Sequence, residues 1–178
     1  MGSAINFSRL GVALRVDKVL SVPQVRRHYR ILKKDLPPSY GSFASHVKDT
    51  YYAERVRKVS FVSLEGSSRR LSANDLRHLA GIAEMRHALG AASQSWSLHP
   101  RGETAVPDAL WTLDGEKVAV EFDAGSYSRE RIVYKAQAYG RFAAQVWGSS
   151  SQARLGFLQS VLGDLDIPAT FIYAPWSH

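Results

Sequence analysis

The stretch Pro107-Asp108-Ala109-Leu110-Trp111-Thr112-Leu113-Asp114-Gly115-Glu116-Lys117-Val118-Ala119-Val120-Glu121-Phe122-Asp123 decides the fold. Asp-Gly is a favoured pair for a two-residue type I′ turn, where both central residues need positive φ. With the turn at Asp114-Gly115, Leu113 faces Glu116, and the pairing carries back to Asp108 opposite Glu121, with Cβ atoms about 5 Å apart. Alternation along the two strands collects Ala109, Trp111, Leu113, Val118, Val120 and Phe122 on one face, which reads as a core face. The other face collects Asp108, Leu110, Lys117, Ala119, Glu121 and Asp123. Three carboxylates thus gather at the open end of one face. A hydrated Mg²⁺ or Mn²⁺ asks for one or two carboxylates with room for water and phosphate oxygens, and Asp108 and Glu121 are the candidate ligands. An exposed hairpin face on which acids only maintain solubility fits the same spacing. Opposed acids repel, however, and call for a cation or a raised pKa.

Working outward, Ser72-Ala73-Asn74-Asp75 resembles a capping box and opens a helix to about Leu89, with Leu76, Leu79, Ile82, Ala83 and Leu89 as its apolar stripe. A strand is expected around Ser95–His99. After the hairpin, the periodicity predicts a long helix over Ser128–Trp147, a shorter one over Ser151–Leu162 and a closing buried strand at Ala169–Tyr173. This order gives an α/β (α+β) chain whose mixed sheet is flanked by helices.

Before Leu71 the composition changes. Residues 1–70 carry 14 Lys+Arg against 5 Asp+Glu, and residues 71–178 carry 9 against 11, within an overall net charge of +7. Two parts are expected, 1–70 and 71–178. A basic half points to a polyanion, double-stranded DNA above all, although a generically basic solvated surface has the same composition. Phe7–Val19 fits either a helical face or a strand, and is read as a helix. Ser21-Val22-Pro23 reads as a cap with Pro in the first turn of a helix over Pro23–Lys34. Pro37-Pro38 and Gly41 break it. Ser42–Ala53 is expected as a further helix, Val56–Leu64 as a strand and Glu65–Arg70 as a polar basic loop. Helix, turn, helix, strand and basic loop is the order of a winged helix. Arg26, Arg27, Lys48, Arg55, Arg57, Arg69 and Arg70 are the candidate DNA contacts.

Zero cysteines exclude disulfides and thiolate metal sites. The six histidines lack tight ligand spacing, so no zinc site is expected. No apolar run approaches the ~20 residues of a membrane span, and the first residues do not read as a signal peptide. A cytoplasmic protein associated with nucleoid or plasmid, without a membrane partner, is the expectation.

Pro107-Asp108, followed at a distance by Glu121-x-Asp123, resembles the PD-(D/E)xK nuclease motif, with Asp123 where that motif has Lys. A broader likeness covers most of the chain. The strand and Gly-containing turn Phe61–Gly66, the His-bearing helix Arg77-His78 through Arg86-His87, the Pro-Asp strand, Glu121-Phe122-Asp123-Ala124-Gly125, and Lys135 with Tyr139 together resemble the replication-relaxation family. That resemblance implies a winged helix followed by a restriction-endonuclease-like core, and a role in plasmid or mobile-element replication alongside replication proteins. It also implies catalytic candidates: Asp108 and Glu121 on the metal, Asp123 assisting, and Lys135, migrated to the next helix, steadying the transition state. Lys135 as a surface residue of its helix is the plainer reading. Two functions stay open: a Mg²⁺-dependent DNA endonuclease, or a non-catalytic DNA-binding accessory protein with a degenerate nuclease core.

Overall fold

A computed structural model describes residues 4–50, 54–64, 71–99 and 105–178. It holds two sheets with one helix between them. Helix α1 (Ala4–Asp17), strand β1 (Val19–Ser21), helix α2 (Val22–Tyr29), a 3-10 turn at Lys33–Asp35, and strands β2 (Tyr40–Val47) and β3 (Arg57–Leu64) form the first part. Its antiparallel sheet runs β1-β3-β2. Helix α3 (Ala73–Ala88) follows, then β4 (Trp96–Leu98), β5 (Ala109–Leu113), β6 (Glu116–Phe122), α4 (Arg129–Ala138), β7 (Ala144–Ser149), α5 (Gln152–Gly163) and β8 (Thr170–Tyr173). The second sheet runs β4-β5-β6-β7-β8, antiparallel as far as β6 and parallel beyond it. The chain is therefore α+β, with a mixed sheet flanked by helices as the sequence predicts. Among the described residues, no helix is long and apolar enough to cross a membrane.

The local signals act where they were read. Asp114 and Gly115 take φ of 51° and 86°, and the register Leu113↔Glu116 through Ala109↔Val120 follows from that turn. Ser72 caps α3 in a reciprocal box with Asp75. Ser21 and Gln24 form a second box at the start of α2.

Three expectations are corrected. Of the helix expected over Ser42–Ala53, residues 42–47 belong to strand β2, paired along its whole length with β3 from Tyr40↔Leu64 to Val47↔Arg57, and residues 51–53 lie outside the described residues. Ser, Phe, His and Val have weak helix preference, and a ready antiparallel partner overrides it. Phe43 then stacks on Phe61 at 6.0 Å between ring centroids. The helix of Pro23–Lys34 stops at Tyr29, because Arg30 turns left-handed (φ 58°) and sends Ile31 into the core. The helix of Ser128–Trp147 ends at Ala138, and Ala144–Ser149 becomes a parallel strand. Gln145, Val146 and Trp147 are all buried there, as a strand covered on both faces requires. Gln145 Nε2 donates to Ala136 O at 2.8 Å, satisfying a carbonyl at the end of the shortened helix.

Helix α3 is the shared wall. Its apolar residues Leu76, Ala80, Ile82 and Met85 join Val19, Val59 and Phe61 of the first sheet and Val118, Val120 and Phe122 of the second in one core. A Cβ at Gly81 would lie 2.3 Å from the Phe122 ring, and one at Gly148 would lie 2.3 Å from Met85 Sδ, so the helix sits close on the second sheet. Polar contacts wire α3 to the first part as well. Arg86 clamps Asp17 through two hydrogen bonds of 2.8 and 2.6 Å in a fully enclosed setting. The core thus runs across the compositional boundary at residue 70. Helices α4 and α5 cover the far face of the second sheet with Ile132, Ala136, Leu155, Leu158 and Val161.

Candidate functional site

The three hairpin acids lie at the end of β6 beside the carboxyl end of parallel β7, where open α/β sheets usually form ligand crevices. Their surroundings differ from the open face expected of the hairpin. Helices α4 and α5 pack on that face, and Glu121 and Asp123 have no exposed surface.

Asp108 sits just before β5. Its main chain stays in line with the hairpin, since Asp108 N donates to Glu121 Oε2 at 3.3 Å. Its carboxylate bends away, accepting the Phe122 N–H at 2.9 Å and lying 2.8 Å from His78 Nε2 on α3. The His78 contact is close but not in line, so it acts as a charge contact more than an aligned hydrogen bond. Burial works against the charged carboxylate, yet His78, the Phe122 amide and Lys135 hold Asp108 below its ordinary pKa.

Glu121 is enclosed by α4. Lys135 Nζ lies 2.8 Å from Oε1, Tyr127 donates its hydroxyl to Oε1 at 2.7 Å, and Tyr139 donates to Oε2 at 2.5 Å. Lys135 and Tyr139 stand four residues apart on one helical face, and Lys135 also donates to the Tyr139 hydroxyl at 2.9 Å. Burial and the nearby Asp108 charge push Glu121 up to about 7, against the pull of Lys135 and the Tyr139 hydroxyl. Burial and the same acids push the Tyr127 and Tyr139 phenols well above their ordinary range, so both remain donors.

Asp123 belongs to a third set. Arg154 on α5 grips Oδ2 with two nitrogens at 2.6 and 2.5 Å, and the Gly125 N–H donates to Oδ1 at 2.7 Å. Arg154 also ties to Tyr127 O at 2.5 Å, pinning the loop after β6. Each acid therefore has its own basic neighbour: His78 beside Asp108, Lys135 beside Glu121 and Arg154 beside Asp123.

The structure brings Asp108, Glu121, Asp123 and Lys135 together, with Lys135 buried and not on the surface. The metal reading does not fit this arrangement. Both oxygens of Glu121 and of Asp123 are occupied by protein donors, and among the described residues no group of three or more His, Cys, Asp or Glu could hold an ion. His78, Tyr127, Tyr139 and Arg154 are the site residues the sequence reading did not assign. The Lys135/Tyr139 spacing was the available signal for one of them. Nothing local marks Arg154, which reaches Asp123 from 31 residues away. Glu84 takes no part in these contacts. It is buried on the opposite side of α3, facing Gln24, Arg27 and His28.

The expected DNA contacts scatter. Arg26 and Arg55 are exposed and Lys48 is half-buried. Arg57 is exposed beside Asp49 at 2.9 Å. Arg27 is largely engaged inside the protein, 2.7 Å from Glu84 and bonded to the carbonyls of Pro175 and His178. Arg69 and Arg70, with the loop Glu65–Arg70, lie outside the described residues.

A three-stranded antiparallel sheet joined through a shared helix to a five-stranded mixed sheet flanked by helices makes this an α+β protein with a buried, mutually paired set of charged side chains. The family model for replication-relaxation matches residues 16–155, most of the 178-residue chain, and the protein belongs to that family. No curated protein and no solved structure matches it significantly.

Proposed function

We propose that this replication-relaxation protein binds duplex DNA in a plasmid or mobile-element replication setting and does not cut it. The observation that carries the non-cleaving half is the one-to-one pairing of Asp108, Glu121 and Asp123 with His78, Lys135 and Arg154. A nuclease metal needs carboxylate oxygens facing water and phosphate, and here they face basic side chains, phenols and main-chain amides. The network ties β5, β6, α3, α4 and α5 together, a structural role for residues that would otherwise do chemistry. The DNA-binding half is supported by the excess of cations in residues 1–70 and by family membership.

Supercoiled plasmid incubated with the protein in Mg²⁺ or Mn²⁺ should stay supercoiled, while a labelled duplex should be retained by the protein at low salt and released as salt rises. Metal-dependent nicking that disappears in Asp108→Ala would replace this reading with the endonuclease, in which Lys135 beside Glu121 has the catalytic part.

A further inference from the structure

The first sheet carries a bare patch where a winged helix normally carries its reading helix. The order α1-β1-α2, then β2 and β3, with strands arranged β1-β3-β2, is that of a winged helix, but the segment between α2 and β2 holds only the 3-10 turn Lys33–Asp35. Three residues of 3-10 helix rise only about 6 Å, too little to lie along a major groove and present several side chains to base edges.

Strand alternation shows what is left uncovered. On β3, Val59 and Phe61 turn toward α3, so Lys58 and Ser60 turn the other way. Their cross-strand partners are His46 and Ala44, and Ser42 lies on the same face opposite Val62. The far end of this face, at Leu20 and Val62, is closed by α1 and α2. At the near end Ser42, Ala44, His46 and Lys58 are exposed, and Lys33 reaches from the 3-10 turn to Ser60 Oγ at 3.2 Å. Lys34 is exposed on the same turn. Ser42, Ala44 and Ser60 form a floor of small side chains beside His46 and Lys58, and Lys33 reaches it from the 3-10 turn that also carries Lys34.

We infer that this face of β2 and β3, with Lys33, Lys34 and Lys58, is where the sugar–phosphate backbone of duplex DNA docks, in place of a recognition helix. The inference rests on the DNA-binding reading and gives it a location. A floor of Ser and Ala lets a backbone approach closely, and lysines supply point charges to phosphates without a code for bases. The face presents a single imidazole, His46, and no run of aromatic side chains on which successive unpaired bases could stack, so it suits a duplex over a single strand. Binding through it is independent of sequence.

Anisotropy titrations with a fluorescent duplex of about 20 base pairs test this across a salt series. Lys33→Glu/Lys58→Glu should weaken binding at least tenfold, and Lys33→Gln/Lys58→Gln should lower the slope of log K against log salt by roughly two, near 0.9 per phosphate contact. Ala44→Glu, which leaves every cation in place but puts an acid on the floor, should weaken binding as well. Lys117→Glu/Arg129→Glu, the same charge change on strand β6 and helix α4 of the second part, should stay within twofold of wild type. Thermal melts check that each variant is folded. If folded Lys33→Glu/Lys58→Glu and Ala44→Glu bind like wild type, or if the control falls equally, the location is wrong while DNA binding stands. Single strands bound as tightly as the duplex would also overturn it. If the wild type fails to bind duplex at low salt, the parent reading falls and this one with it.

Discussion

The two sheets handle charge in opposite ways. Around the first sheet, Lys33, Lys34, Arg55 and Lys58 are exposed, and Arg57, also exposed, meets the neighbouring Asp49. At the second sheet the acids and their basic partners are enclosed: Glu121 with Lys135, Asp123 with Arg154 and Asp108 with His78. A charge count taken from sequence ranks these regions by sign, but binding depends on which charges remain available to a partner. Arg27 shows the same rule on a small scale. It belongs to the basic half by composition, yet half-buried it is held by Glu84 and the carbonyls of Pro175 and His178.

The sharpest way to break the contrast is to leave one enclosed charge alone. Lys135→Met should destabilise the fold by about 3–5 kcal/mol, because Glu121 would be left buried without its cation. Urea unfolding measures the loss, and Lys135→Met/Glu121→Gln should recover part of it. A loss below about 1 kcal/mol for the single change would mean that the pair is open to water and that the two regions resemble each other more than described.

Next in size is the seam that makes the regions one body. Gly81→Ala places a methyl against the Phe122 ring and should cost about 1–3 kcal/mol despite alanine's better helix preference. Gly81→Ala/Phe122→Leu should restore some of that stability in the same unfolding experiment.

A smaller effect is expected from His87, which stacks on His28 at 4.0 Å and meets the Tyr29 hydroxyl at 3.1 Å. Burial, with Arg86 and His28 nearby, drives its pKa down to about 3 from 6.5. The folded state therefore binds fewer protons than the unfolded state between these values. The stability this contributes is complete above about pH 6.5 and is lost as pH falls toward 3. Glu121, raised to about 7 from 4.5, works the other way, since its folded state holds the extra proton and stability falls as pH rises through that window. His87→Gln should flatten the acid side of the stability profile, and Glu121→Gln should make the rise with pH steeper. Melting temperatures from pH 4 to 8 separate the two, and profiles parallel to wild type would remove both assignments.

The smallest expected effect is no effect. Mn²⁺ at millimolar concentration should leave the melting temperature of wild type and Asp108→Asn equally unmoved, because mass action needs a site. A rise in wild type that Asp108→Asn abolishes would show that the enclosed acids open to an ion.

The sequence by itself determined what nearest neighbours control. Asp114-Gly115 needs positive φ at both residues, and that steric demand sets the hairpin register and brings the Asp108 backbone opposite Glu121. Ser21 and Ser72 announce their helices because a capping hydroxyl acts within three residues. Family membership was legible too, since it rests on the order of such short motifs. Tertiary structure decided whatever depended on a partner far along the chain. Residues 42–47 are a strand because β3 offers a complete ladder, and the face of β6 expected to be open is closed because α4 and α5 have apolar stripes to bury. The fate of the acids followed from that closure. Enclosed away from water, Asp108, Glu121 and Asp123 are held by His78, Lys135 and Arg154, 30, 14 and 31 residues away in the chain. Alternation says which way a side chain points, but what it meets there depends on how distant elements pack.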